Sequence, residues 1–229
     1  MKFFKLIFIN KSIFRGMPEV IVIILDNSIS MCNQDYFPNR YVLQIETLRK
    51  LIDNKYSSSQ LNEISIIPLA QPTPHFIATP TKNLSFLEYF ISKIPLNRNL
   101  DLKSTFFLAS KALDSKENKY GTLVFCMGTL LPPDMVDEQI MSAVERIKTM
   151  LDKEVLVKII FLAEAKEYKE LFDVQLEHPN YSSVYISPED DFGAIVADIT
   201  EQDDWEENDP ELAMAIKLSL EETNKKQDN

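Results

Sequence analysis

A short polar loop follows the first long apolar stretch of this sequence and carries the side chains best suited to chemistry. Asp26, Ser28 and Ser30 alternate in that loop, directly after the β-branched run at residues 19–25. One carboxylate and two hydroxyls offer the hard oxygen ligands that Mg²⁺ accepts. The same groups can instead hydrogen-bond their own loop, as Asp and Ser side chains do in tight turns. The loop is therefore either a cation site or a self-bonded turn.

Other reactive side chains are scarce, which argues against an enzyme. The two histidines, His75 and His178, have no nucleophile near them in the sequence, and Cys32 and Cys126 imply no disulfide framework. A zinc site would need all four of these residues to meet in the fold. The chain has only 4 glycines and no Gly-rich phosphate loop. We therefore predict a non-catalytic protein of a reducing compartment.

A second candidate site lies at residues 209–223, which have the pattern of an amphipathic helix. Asp209 can cap this helix and Pro210 suits its first position. At about 100° per residue, one face combines apolar, small and acidic side chains. These are Leu212, Ala215, Ile216, Ser219 and Glu222. The small residues leave a notch that another protein can approach, although the helix could also pack on its own domain.

Strands and helices alternate along the sequence between the two candidate sites. Unbroken apolar runs predict strands that are buried on both faces, and amphipathic spacing predicts helices. We expect strands at 19–25, 63–69, 75–78, 122–127, 155–162 and 183–186, and helices at 40–56, 84–94, 104–113, 134–151, 166–176 and 192–199. Prolines at 68, 72 and 74 suggest that the second strand lies toward a sheet edge. This order predicts an α/β fold with a doubly wound, mostly parallel sheet and a C-terminal tethered helix.

Composition divides the chain further. We predict an N-terminal extension at 1–16, a domain at 17–199, an acidic linker at 200–208, the helix at 209–223 and a polar tail at 224–229. Residues 1–9 have the apolar run of a secretion signal, but Lys5 interrupts it and no cleavage site follows, so Met17 is an alternative start. A net charge of −11 argues against nucleic-acid or anionic membrane partners. No apolar run is long enough to span a bilayer.

The loop at 26–30 resembles the metal-site loop, Asp-x-Ser-x-Ser, of von Willebrand factor A domains. The resemblance implies that Asp26, Ser28 and Ser30 contribute to a Mg²⁺ site, with Thr105 as the threonine that the family supplies from a later loop. The family also has an Asp after its fourth strand, where this sequence has Met127. The resemblance therefore implies an A-type domain whose metal site is incomplete.

The helix at 209–223 resembles the ubiquitin-interacting motif. That motif has an acidic lead and then a large apolar residue, an Ala, a Ser and an acidic residue at fixed spacing. The matching residues here are Glu206, Glu207, Asp209, Leu212, Ala215, Ser219 and Glu222. The resemblance implies that this face of the helix, which includes Ile216, binds ubiquitin.

Both resemblances occur in one chain, in the order found in the ubiquitin-receptor subunits of the proteasome regulatory particle. That family resemblance implies an A-type domain that docks on other regulatory-particle subunits and a helix that binds ubiquitin and polyubiquitin chains. It implies no cofactor and a location in the cytoplasm and nucleus. Two alternatives remain, a metal-dependent A-domain binding module and an A-domain repair or transcription scaffold without a ubiquitin role.

Overall fold

A computed structural model describes residues 18–70, 76–114 and 120–201, which form a sheet between two helical layers. The strands are β1 (Glu19–Leu25), β2 (Glu63–Pro68), β3 (Ala78–Thr81), β4 (Tyr120–Met127), β5 (Leu156–Leu162) and β6 (Tyr181–Ile186). The helices are α1 (Arg40–Ser58), α2 (Leu84–Ile91), α3 (Leu102–Asp114), α4 (Val136–Leu151), α5 (Lys166–Gln175) and α6 (Phe192–Glu201). The predicted α/β fold with a mostly parallel sheet is confirmed.

The sheet has the strand order β3-β2-β1-β4-β5-β6, and β3 is antiparallel to β2 while the other neighbours are parallel. The chain first builds outward from β1 through β2 and β3, and then returns to the other side of β1 with β4. The loops after β1 and β4 therefore meet at the carboxyl edge of the sheet. In open α/β sheets this switch in strand order is where ligand sites form.

The two faces of the sheet are buried under different helices, which explains the unbroken apolar strands. Along β1, Val20, Val22 and Ile24 face the core beneath α3, α4 and α5. The intervening residues, Ile21, Ile23 and Leu25, face the core beneath α1, α2 and α6. Side chains alternate across a strand, so a strand covered on both sides must be apolar at every position.

The second strand lies toward an edge of the sheet, as predicted, but not at the edge itself. β2 lies one strand in from the edge, because β3 pairs with its outer side. The third strand, predicted at 75–78, begins at Ala78 and includes Pro80. An edge strand tolerates the missing N–H of a proline. The pairing of β2 with β1 continues past Pro68, because the N–H of Leu69 donates to the carbonyl of Leu25 at 2.8 Å.

Helix ends differ from the predicted bounds by a few residues. α2 ends at Ile91 rather than 94, because the N–H groups of Lys93 and Ile94 donate to carbonyls three residues back. α3 starts at Leu102 rather than 104, with the carboxylate of Asp101 accepting the N–H of Ser104 at 2.9 Å. α6 continues to Glu201, past the predicted end at 199. The predicted extension at 1–16 and helix at 209–223 lie outside the described residues.

Candidate functional site

Four side chains converge where the loops after β1 and β4 meet, and we call them the hydroxyl cluster: Asp26, Ser28, Ser30 and Thr129. The hydroxyls of Ser28 and Ser30 lie 3.1 Å apart, and each also hydrogen-bonds the hydroxyl of Thr129. Asp26 is fully buried beneath them. The sequence predicted the first three of these residues as a group, and the structure adds Thr129.

The carboxylate of Asp26 is held by backbone donors from both loops. One oxygen accepts the N–H of Ser28 at 2.8 Å and the other accepts the N–H of Gly128 at 2.9 Å. Burial disfavours the charged form and raises the pKa of Asp26, while hydrogen bonds from Ser28, Gly128 and Thr129 act in the opposite direction. Asp26 therefore ties the end of β1 to the end of β4.

Two buried amide side chains hold the same loop from below. Gln44 on α1 donates to the carbonyl of Asp26 and accepts its N–H, both at 2.9 Å. Asn27 donates to the carbonyls of Ala70 and Pro95 and accepts the N–H of Ala70. The loop is thus fixed to α1, to the segment after β2 and to the segment after α2.

A second group lies on the other side of Gly128, and we call it the arginine cluster: Arg40, Asp35 and Glu164. The guanidinium of Arg40 is only 1% exposed and pairs with both carboxylates through two hydrogen bonds each. It also donates to the carbonyl of Gly128 at 2.6 Å. Arg40 can do this because its planar guanidinium offers five N–H donors in a fixed fork.

The arginine cluster has a clear electrostatic signature. Hydrogen bonds from Arg40 hold the pKa of Asp35 and the pKa of Glu164 below their ordinary values.

Tyr36, which is also buried, donates to the carbonyl of Ile186 at 2.6 Å and accepts the N–H of Ala163 at 3.0 Å. This segment before α1 therefore connects the carboxyl ends of β4, β5 and β6.

Gly128 links the two clusters through one residue. Its N–H donates to Asp26 and its carbonyl accepts from Arg40. A Cβ at this position would lie 2.7 Å from the sulfur of the buried Met31 and 3.3 Å from the Cβ of Leu162. Any larger residue here would therefore force the side chain of Met31 to shift.

The side chains at the hydroxyl cluster fit a tightly held Mg²⁺ poorly. Mg²⁺ is usually held by one or two carboxylates in near-ideal octahedral geometry. Here the single carboxylate accepts two N–H donors, and its neighbours are three neutral hydroxyls that bond one another. In the described ranges, no three His, Cys, Asp or Glu residues are grouped so as to hold a metal.

Thr105 and Met127 occupy other surroundings. The hydroxyl of Thr105, on α3, donates to the carbonyl of Leu69 at 3.4 Å, whereas the threonine at the cluster is Thr129. Met127 is fully buried in the core beneath α3, α4 and α5. Its apolar surroundings explain why no carboxylate is found there, because an unpaired charge would be costly in this core.

The remaining residues considered from the sequence form no reactive group in the part of the chain that is described. Cys126 is buried and Cys32 is exposed. The ring of His178 accepts the N–H of Asn180 at 3.1 Å, a local turn contact. His75 and the predicted ubiquitin-binding residues, from Glu206 to Glu222, lie outside the described ranges. Within those ranges, helices long and apolar enough to cross a membrane are absent.

Sequence reasoning missed the residues that stabilise the loops. Arg40 and Gln44 were placed on a helix, but nothing local marks an arginine as buried. Gln44 could have been found, because it is a polar residue on the apolar side of an amphipathic helix. Thr129 gave no signal, because its partners are about a hundred residues away in the chain.

Comparison with known proteins gives a consistent result. Residues 21–129 match the von Willebrand factor type A domain. The 26S proteasome non-ATPase regulatory subunit 4 of Dictyostelium discoideum is 27% identical over 164 residues, which cover 71% of this chain and 46% of that protein. The 26S proteasome regulatory subunit rpn10 of Schizosaccharomyces pombe is 25% identical over 148 residues, which cover 64% and 59%. The crystal structure of the SpRpn10 VWA domain superposes with a TM-score of 0.64 at 21% identity, covering 79% of this chain and 94% of that one.

The described part of the chain has the von Willebrand factor type A fold, as its strand order and the superposition on the solved domain show. It is homologous to regulatory subunits of the 26S proteasome, with 25–29% identity. The chain spans about half the length of the curated relatives just described, and the similarity to the solved structure extends over nearly all of that domain.

Replacing Arg40 with Met should lower the free energy of unfolding by about 3 kcal/mol, because a buried carbonyl and two carboxylates lose their donor. The lowered pKa values of Asp35 and Glu164 give the parent a stabilisation that is present above pH about 4.3 and is lost as the pH falls through the folded values. The variant should lack this part of the acid dependence. Urea unfolding between pH 3 and pH 7 measures both effects.

Arg49 provides the matched control, because its pair with Glu88 is about half exposed on both sides. Arg49→Met should change stability by less than about 1 kcal/mol. An equal loss of stability in the two variants would show that burial of Arg40 has no special role.

Proposed function

We propose that this chain is a non-catalytic subunit of the proteasome regulatory particle that docks by its A-type domain and binds polyubiquitin by residues 209–223. Homology to proteasome regulatory subunits over 148 and 164 residues is the observation that carries the proposal. The names of the relatives indicate the assembly, and the sequence motif indicates the ligand. By the same reasoning the protein acts in the cytoplasm and nucleus, without nucleic-acid or membrane partners.

The carboxyl edge of the sheet supports a docking role for the A-type domain. Large apolar side chains are exposed on the loops that the two clusters hold: Ile29, Phe37 and Leu130. Phe37 is 90% exposed although its neighbour Tyr36 is anchored in the core. Apolar side chains presented on fixed loops lose little freedom when a partner covers them, which favours binding.

The helix predicted at 209–223 is suited to weak, repeated contacts with ubiquitin. One helix face buries an area at the low end of protein interfaces, so a dissociation constant on the order of 0.1 mM, or about −5.5 kcal/mol, is expected. A chain of several ubiquitins compensates for the weak affinity of each contact, because tethering raises the effective concentration of the next ubiquitin. The protein would thus capture polyubiquitin in preference to single ubiquitin molecules.

Co-purification from cells of the source organism tests the assembly. The tagged full chain should recover regulatory-particle subunits, and Phe37→Ser should recover fewer of them because an exposed aromatic anchor is lost. Leu61→Ser is the matched control, since Leu61 is 52% exposed just before β2, at the opposite edge of the sheet. Recovery of no proteasome subunits by the parent chain would refute the proposal.

Ubiquitin titration followed by NMR of labelled ubiquitin tests the helix. Ala215→Gln should weaken binding at least about tenfold, or about 1.4 kcal/mol, because a long side chain fills the notch. Ala213→Gln makes the same chemical change about 160° around the helix from Ala215 and should leave binding intact. Equal affinities of these two variants would mean that the notch is not the contact surface.

We also propose that the hydroxyl cluster works without a metal, as a hydrogen-bonded link between the loops after β1 and β4. This proposal rests on the carboxylate of Asp26, which accepts two backbone N–H groups, and on the three neutral hydroxyls beside it, which bond one another. Millimolar Mg²⁺ should leave both the melting temperature and proteasome recovery unchanged. A rise in both with Mg²⁺ that is lost in Ser30→Ala would favour the metal-dependent binding module instead.

A further inference from the structure

The outer face of α2 is unusually apolar for a surface helix. Its inner residues, Leu87, Phe90 and Ile91, are buried in the core. On the opposite side Tyr89 is 62% exposed and Phe86 is 41% exposed. A helix on a protein surface normally carries charged and polar residues on its outer side. Contiguous exposed apolar groups of this kind mark a surface that another segment covers.

The exposed aromatic residues of α2 form a rigid surface. The ring of Phe86 lies 6.2 Å from the ring of Phe90, which stacks on Phe76 at 4.4 Å. The ammonium of Lys93 lies 5.7 Å from the ring centre of Tyr89. The ring of Phe86 is thus held against the buried ring of Phe90, and covering it would remove little side-chain freedom.

The described chain begins near the end of the strand that leads into α2. Just after Pro18, the N–H of Glu19 donates to Asn62, directly before β2. Thr81, at the end of β3, pairs with Ile64 on the other side of β2, and α2 begins three residues later. Two strand spacings, about 10 Å, therefore separate the start of β1 from the strand that leads into α2.

Residues 1–17 have the length and the chemistry to reach and cover the α2 face. Seventeen residues can span up to about 55 Å when extended. They include six apolar side chains within residues 3–9, namely Phe3, Phe4, Leu6, Ile7, Phe8 and Ile9. They carry four cations and no acidic residue, whereas the whole chain has a net charge of −11. The rest of the chain therefore attracts this segment over its surface.

We propose that residues 3–9 pack on the outer face of α2, over Phe86 and Tyr89. Two apolar surfaces that would otherwise face water are then buried against each other. The burial of apolar surface is the dominant favourable term in such association. The N-terminal segment thereby covers the side of the domain that carries α2. This docking is independent of the proposed proteasome assembly.

A nitroxide placed by Asn10→Cys in a Cys32→Ser background tests the contact in the full chain, since the other thiol, Cys126, is buried. Amide NMR signals of residues 84–91 should lose most of their intensity when the label is paramagnetic. The loss should be relieved by Tyr89→Ser, which removes the aromatic platform. Leu171→Ser, at a residue 47% exposed on α5, is the matched control and should leave the loss unchanged.

Three results would overturn this proposal. The first is an undiminished loss of intensity in Tyr89→Ser, which would indicate that the label is merely tethered nearby. The second is loss of intensity when the label and the isotopes are on separate molecules, which would identify a second copy of the chain as the occupant. The third is no loss at residues 84–91, which would leave the α2 face for another protein.

Discussion

The single residue Gly128 connects the two polar clusters on which the carboxyl edge of this domain depends. Its N–H is bonded to Asp26 and its carbonyl to Arg40, so the loop after β1 and the start of α1 are held against the same turn. Buried polar groups must find partners within the protein. Both clusters lie at the strand ends, where the loops supply such partners.

Hydrogen bonds among protein groups hold the loops at the carboxyl edge of this domain. Thr129 adds a third hydroxyl beside Ser28 and Ser30, and backbone N–H groups donate to the carboxylate of Asp26. Asn27 and Gln44 then fix the backbone of the same loop. A fold can host many functions. Here the hydrogen bonds fix the shape of the loops at the carboxyl edge.

The proposed function assigns different tasks to the domain and to the helix predicted at 209–223. The domain has a sheet covered on both faces and presents loops that are fixed by buried hydrogen bonds. Its surface is suited to stable contacts with neighbours in an assembly. A short helix beyond α6 would be marginal alone in water and would gain its order from a ligand. Stable docking and weak, repeated capture thus place different demands on the two parts.

Most strands and helices were predictable because their patterns are local. β1, β4 and β5 are apolar along most of their length, although Lys158 interrupts β5, because burial on both faces favours that composition. The bounds of β3 and α2 were less predictable. The pairing of β3 with β2 and the final turn of α2 depend on contacts that a local pattern does not record.

The candidate site shows the same contrast. Its position after β1 followed from the sequence, because a polar loop after a buried strand must lie at the carboxyl edge. Its partners were decided by the tertiary structure: Thr129 instead of Thr105 at the hydroxyls, and Arg40 beneath Asp35 and Glu164. The sequence by itself determined the types of side chain and the strand that carries them. Which of them meet depends on strand order, and strand order brings together residues about a hundred positions apart.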